Sequence, residues 1–168
     1  MNIFVTVGMG RWPFDRLVAA VDQLCPAHAV VAQIGTSRVR PGCPHDEFLS
    51  FPDFAARLRW ADAVITHAGN TVRLVQRTGR VPIAVARERS RGEMGNDHQV
   101  HFLRQEQRLG RVVGLWDVER LAATVAGHAE AQARLLVERP LAPPTSADRL
   151  IETMDAVCRG LISSERAG

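Results

Sequence analysis

Ile65-Thr66-His67-Ala68-Gly69-Asn70-Thr71-Val72 is the stretch on which the fold turns. With Ala63 and Val64 before it, an apolar run ends in a small-residue turn, and a helical pattern opens directly after that turn. A strand feeding a helix in this way leaves backbone N–H groups and the positive helix end at the carboxyl edge of a sheet, where α/β proteins bind phosphates. The same stretch admits a plainer reading, in which Gly69 only shapes a tight turn between strand and helix.

Working outward, Ile3-Phe4-Val5-Thr6-Val7 is a short β-branched run closed by Gly8, the pattern of a buried parallel strand. Pro13 suits a first helical turn. Phe14, Leu17, Val18, Val21, Leu24 and Cys25 follow at helical spacing until Pro26. Ala29 to Ile34 with Gly35 is a second strand–glycine unit, and Thr36 to Glu47 is a loop punctuated by Pro41, Gly42 and Pro44. Phe48-Leu49-Ser50-Phe51 reads as a short third strand, before a helix that starts at Pro52-Asp53 and carries Phe54, Leu58 and Ala61 inward.

After the opening stretch, Gly79 is the expected C-cap of its helix and Val81 to Ala86 a fifth strand. Asn96-Asp97 caps a helix running to Leu109, and Arg111 to Leu115 is a sixth strand. Asp117 caps the next helix, and another runs from about Ala129 to Glu138. Strands alternating with helices predict an α/β protein with a doubly wound, mostly parallel sheet. The expected division is residues 1–139 as one domain, then residues 140–168 as a Pro-rich linker (Pro140, Pro143, Pro144) and an amphipathic helix carrying Leu150, Ile151, Met154, Val157, Leu161 and Ile162.

Composition narrows the function class. The chain has 168 residues, 46% hydrophobic and 23% charged, and a formal net charge of +3 spread over mixed acids and bases. No basic block or aromatic–basic interleaving points to nucleic acid. No apolar run is long enough to span a bilayer, and Met1 to Val5 reads as a strand, not a signal peptide. Cys25, Cys43 and Cys158 are odd in number and far apart, neither a metal knuckle nor a disulfide framework, which fits a reducing cytoplasm. No His/Asp/Glu cluster has metal-ligand spacing.

Two candidate sites fall on the strands' carboxyl edge. Gly8-Met9-Gly10 lacks the third glycine of a dinucleotide fingerprint, Pro13 standing in its place, and strand two ends in Gly35 where an acid would hold the ribose. Arg91 to Gln99 packs Glu93, Asn96, Asp97, His98 and Gln99 into one loop and helix start. There Asp97 and Gln99 have the chemistry to hold adjacent sugar hydroxyls, and each residue taken alone reads equally as a cap or a solvated side chain. His67, at the exit of its strand, is either a general base or a residue that fixes the turn. His28, His45, His101 and His128 read as surface or structural.

Five separated motifs occur in an order that resembles the family-28 glycosyltransferase C-terminal domain, over roughly residues 3–115. They are Phe4-Val5-Thr6-Val7-Gly8, Pro13-Phe14-Asp15-Arg16-Leu17, Gln33-Ile34-Gly35, Ala61 to Gly69, and Gly92-Glu93 followed by Asn96-Asp97-His98-Gln99. The chain looks most like the stand-alone versions: the small soluble subunit of the eukaryotic two-part UDP-GlcNAc transferase and bacterial relatives in exopolysaccharide synthesis. The resemblance implies a single Rossmann-like domain, one half of a GT-B fold, that binds a UDP-sugar donor without a cofactor or metal. A second, membrane-anchored protein would supply the acceptor-binding half, so that this chain works in the cytoplasm and reaches the membrane face through its partner. Carried over by position, Gly69, Asn70 and Thr71 would face the donor diphosphate, Asp97, His98 and Gln99 the sugar, and Gly8 and Glu93 would line the cleft, with His67 the one catalytic candidate.

The chain departs from the family at two places. Asn70 stands where a second glycine is usual, and Met9-Gly10-Arg11-Trp12 replaces the bacterial relatives' Thr-His-Glu-Gln. The second departure is what a non-catalytic accessory subunit that stabilises a separate transferase would show, and this is the rival expectation. A lone sugar-nucleotide-binding or epimerase-like domain is a third.

Overall fold

Alternation along the first strand sets the layers. Residues two apart share a face of a sheet, and β1 (Asn2–Thr6) sends Ile3 and Val5, with Val7 beyond it, to one side and Phe4 to the other. The first face packs on Phe14, Leu17, Val18, Leu121 and Val125, and the second on Leu58, Ala61, Val64 and Val75. Each Val, Leu, Ile or Phe among them stabilises the fold by roughly 1.5–3 kcal/mol when fully buried. The computed structural model describes residues 1–141.

The elements are β1, α1 (Asp15–Ala20), β2 (Ala29–Gln33), β3 (His45–Asp46), α2 (Phe51–Trp60), β4 (Ala63–His67), α3 (Asn70–Arg77), β5 (Ile83–Val85), α4 (His98–Arg108), β6 (Val113–Gly114), α5 (Leu121–Ala126) and α6 (His128–Glu138). The six strands form one sheet in the order β3-β2-β1-β4-β5-β6, every pair parallel. Strand order reverses between β1 and β4, so the crevice at their carboxyl ends is the point where such sheets take ligands. In that register Thr6 stands beside both Gln33 and Thr66.

Two expectations need correction. The third strand is not Phe48–Phe51. It is His45–Asp46, paired with Ala32 and Gln33, while Phe51 opens α2 behind the N-cap Ser50, whose hydroxyl accepts from Asp53 N. An N-cap with Pro in the first turn outweighs the apolar run, and the true strand is an exposed edge whose hydrogen bonds leave no apolar pattern. The first helix also stops early: α1 ends at Ala20 and passes into a 3₁₀ turn, Val21–Gln23. Cys25 and Cys43, far apart along the chain, line one cavity.

The orientation of α3 is held by a strut. Arg73 donates to both carboxylate oxygens of the buried Glu106 on α4 (2.7 and 2.8 Å), and Gln76 adds a bond to the same carboxylate and one to Arg111 O. At the other end of the sheet, His128 donates from Nε2 to Val81 O at 2.8 Å, and Gln132 accepts from Val81 N, docking α6 against the entry to β5. Most of the expected linker and all of the expected final helix, with Cys158, lie outside the described residues.

Candidate functional site

At the β1/β4 crevice lies a hollow of about 360 Å³. One side is the loop after β1, with Gly8, Met9 and Gly10. The floor is Gln33 and His67, and the far end is the start of α3, with Asn70 and Thr71. The remaining wall is apolar: Leu49, Phe51, Phe54 and Leu74. None of these residues is acidic. No side chain caps α3; Val72 N turns back to Gly69 O at 3.0 Å, which leaves the N–H groups of Asn70 and Thr71 at the helix start for whatever occupies the hollow. A wider, open hollow of about 790 Å³ beside Arg104, Arg108 and Trp116 is lined by none of the expected site residues.

The glycines around this site are set by the ring of His67. A Cβ on Gly8 would come within 2.6 Å of His67 Cε1, and one on Gly69 within 2.5 Å of Nε2. Gly8 also has φ +80°, which favours glycine in its own right. Gly69 has φ −156°, extended backbone open to any residue, so the imidazole alone excludes a side chain there.

His67 is kept neutral. Burial, then the nearby charge of Arg87, and more weakly His98, lower its pKa to about 4, against a smaller opposing contribution from the Thr6 carbonyl. Its Nδ1 is buried without a hydrogen-bond partner, as is Thr66 Oγ1. Proton uptake at His67 therefore opposes folding. Above pH 6.5 the folded and unfolded chains both hold a neutral ring. As pH falls from 6.5 to 4 only the unfolded chain takes up the proton, so stability drops by about 3 kcal/mol across that window and no further below it. Urea midpoints at pH 7.5 and 4.5 should separate more for this chain than for His67→Gln; parallel declines would contradict the assignment.

Behind the crevice sits Arg87, 3% exposed. Its guanidinium donates to Val7 O (3.0 Å) and Trp12 O (2.9 Å) and lies 4.6 Å from the Phe14 ring centroid. Burial pulls its pKa down to about 10, with Glu93 opposing, so it stays charged at neutral pH. Gln33 is the second unforeseen member of the site. Its Oε1 accepts from the Thr6 hydroxyl at 2.6 Å, which fixes the amide at the floor of the hollow. Arg87 reads in sequence as the start of a polar loop; Gln33 lies in a quoted motif, but nothing in the motif indicates its role.

The structure thus gathers Gly8, His67, Asn70 and Thr71 around one hollow, with Gly69 pressed against the ring. It places the other expected residues on the loop before α4 and in that helix's first turn, with bonds of their own. Glu93 pairs with Arg16 (2.8 and 3.0 Å) and accepts from Glu88 N. Asp97, at the start of α4, accepts from Arg89 N at 2.9 Å, and His98 bonds Asn96 through Nδ1. Gln99 is buried and holds Arg87 N at 3.0 Å. Among the described residues no group of three or more His, Cys, Asp or Glu is arranged to hold a metal ion, and no helix is long and apolar enough to cross a membrane.

Neither a protein-family model nor a curated protein sequence matches the chain. Its fold does match a solved structure, the crystal structure of Acinetobacter baumannii MurG, with a TM-score of 0.61 and 19% sequence identity. The match covers 93% of this chain and 49% of that one, so the chain spans about half the length of the MurG structure. At this identity the likeness is one of fold: a six-stranded parallel Rossmann-like sheet flanked by helices, matching one half of a GT-B architecture.

Proposed function

We propose that the chain is the donor-binding half of a glycosyltransferase, holding a UDP-sugar while a second, membrane-anchored protein presents the acceptor hydroxyl. The observation that carries this reading is the uncapped start of α3, opening with Asn70 and Thr71 into a hollow at the β1/β4 crevice. That geometry suits a diphosphate at the helix start, and the wall of Leu49, Phe51 and Phe54 suits the flat apolar face of a base. The MurG-like fold is consistent with such a half-enzyme.

In this reading the acceptor oxygen attacks the anomeric carbon of a hexose-type sugar, the bond to UDP breaks, and configuration inverts. The helix N–H groups and positive end stabilise the diphosphate as charge builds on it. His67, with its pKa near 4, is too weak a base to take the acceptor proton efficiently at neutral pH. It serves better as a neutral ring that shapes the floor, and the partner supplies the base. Asp97 and His98 remain the residues proposed to face the sugar, from the loop beside the hollow.

Calorimetric titration tests the reading. UDP should bind more tightly than uridine, because its phosphates reach α3, and Thr71→Val should weaken UDP by roughly five- to tenfold through the lost hydroxyl. Equal affinities for UDP and uridine would remove the phosphates from the helix start. A second reading, the accessory subunit, is favoured by one observation: Met9, in the loop where relatives carry polar residues, is 74% exposed at the mouth of the hollow. Absence of saturable binding by any UDP- or dTDP-sugar would select it.

A further inference from the structure

In a cavity separate from the hollow just described, two thiols distant in sequence come to line the same space. Cys25 follows the 3₁₀ turn Val21–Gln23, and Cys43 lies in the loop before β3. Both line a separate cavity of about 370 Å³ with His28, Pro44 and Trp60. The backbone around them is anchored on both sides. Gly42 N donates to Asp22 Oδ1 at 2.7 Å, Cys43 O accepts from His45 Nδ1 at 2.9 Å, and the Cys25 thiol donates to Val21 O at 3.6 Å. His28, lining the same cavity, brings a buried Nδ1 without a partner.

We propose that Cys25 and Cys43 form a modification site, a dithiol that closes to an intramolecular disulfide when the protein meets a peroxide. Exposure assigns the order of events. Cys25 is half-buried and reachable, whereas Cys43 is 7% exposed. Burial, and then the neighbouring Cys25, push the Cys43 thiol up to about 12, so its proton is still in place for the second step to take up. The Cys25 sulfur attacks a peroxide oxygen, the O–O bond breaks, and the departing hydroxide leaves as water with the thiol proton, giving a sulfenic acid. The Cys43 sulfur then attacks the Cys25 sulfur. The S–S bond forms, the S–O bond breaks, and the second hydroxide leaves with the Cys43 proton as water. Two thiols are oxidised by two electrons in total, and one hydrogen peroxide is reduced to two waters.

The bond would clamp the loop before β3 onto the segment after α1. The other end of that loop reaches the β1–α1 connection, where Ser37 Oγ accepts from Phe14 N at 2.9 Å and the Thr36 hydroxyl donates to Gly10 O at 3.4 Å. Oxidation should therefore raise the melting temperature by several degrees, as loop-closing disulfides do.

The test uses the full chain carrying Cys158→Ser, which removes the third thiol, treated with equimolar hydrogen peroxide. The intact mass should fall by about 2 Da, both remaining thiols should stop reacting with maleimide, and the tryptic peptides holding Cys25 and Cys43 should stay linked until reduced. Cys43→Ala in this background should leave a sulfenic acid on Cys25 that dimedone captures, whereas Cys25→Ser should leave Cys43 reduced. Either variant is read only if its near-ultraviolet circular dichroism is native, and the intact chain decides the matter alone if it is not. Oxidation of Cys25 to a sulfinic acid while Cys43 still titrates as a free thiol would overturn the proposal. So would linkage found only between two copies on a non-reducing gel.

Discussion

Gly69→Ala is expected to destabilise the domain by about 2 kcal/mol, and most of that loss should vanish when His67→Ala is made in the same chain. The backbone at Gly69 is extended, so alanine meets no conformational penalty there. Its Cβ, however, would stand 2.5 Å from His67 Nε2 and 2.8 Å from Cδ2. Gly8 bounds the same ring, since a Cβ there would stand 2.6 Å from Cε1, so the imidazole cannot move toward the β1 loop to make room. Forcing an extra methyl into such a contact costs about 1–3 kcal/mol. Removing the imidazole makes the space, so a double-mutant cycle should show a coupling energy near the full single-mutant loss. Chemical denaturation of the four proteins measures it. A Gly69→Ala protein within 0.5 kcal/mol of the parent, or strict additivity with His67→Ala, would show that the ring does not dictate the glycine.

The second large effect belongs to Arg87→Met. Methionine fills the space of the aliphatic stem but leaves Val7 O and Trp12 O without their donor and gives up the stack on Phe14. About 3 kcal/mol should be lost, the cost of stranding two carbonyls that a charged donor had satisfied. Arg87→Lys should recover little of it, since an ammonium offers neither the planar fork nor the stacking face. The same substitution carries a second, independent readout. With the charge gone, the pKa of His67 should climb from about 4 toward, but not to, 6.5, because burial, its largest cause, remains. Imidazole resonances followed against pH would show it. A His67 pKa that does not move would mean that Arg87 does not reach the site electrostatically.

These two variants also mark how far the site was legible. Gly8, His67, Asn70 and Thr71 could be placed on one edge from sequence, because each follows an apolar run and parallel strands bring their carboxyl ends together. The reason for Gly69 could not. Read along the chain it is a turn residue or a phosphate neighbour; in three dimensions it is the space the His67 ring requires. By its amide chemistry Gln99 reads as a sugar contact, and the fold buries it with Oε1 accepting from Arg87 N. Arg87 looked like ordinary loop polarity, because nothing in its neighbours along the chain shows that Val7, Trp12 and Phe14 close around it.

What the sequence by itself determined is the alternation of strands and helices, the parallel sheet that follows from it, and the edge on which ligands would gather. Hydrophobic periodicity carries that information one element at a time, because it records which face of each segment leaves water. Tertiary structure alone decided the rest. The third strand is a two-residue exposed edge, recruited by backbone hydrogen bonds that need no apolar side chain. The buried cation, the amide at the floor of the hollow and the two thiols on one cavity each depend on residues from separate elements coming together. A pattern within one segment cannot record a contact whose other half lies in a different one.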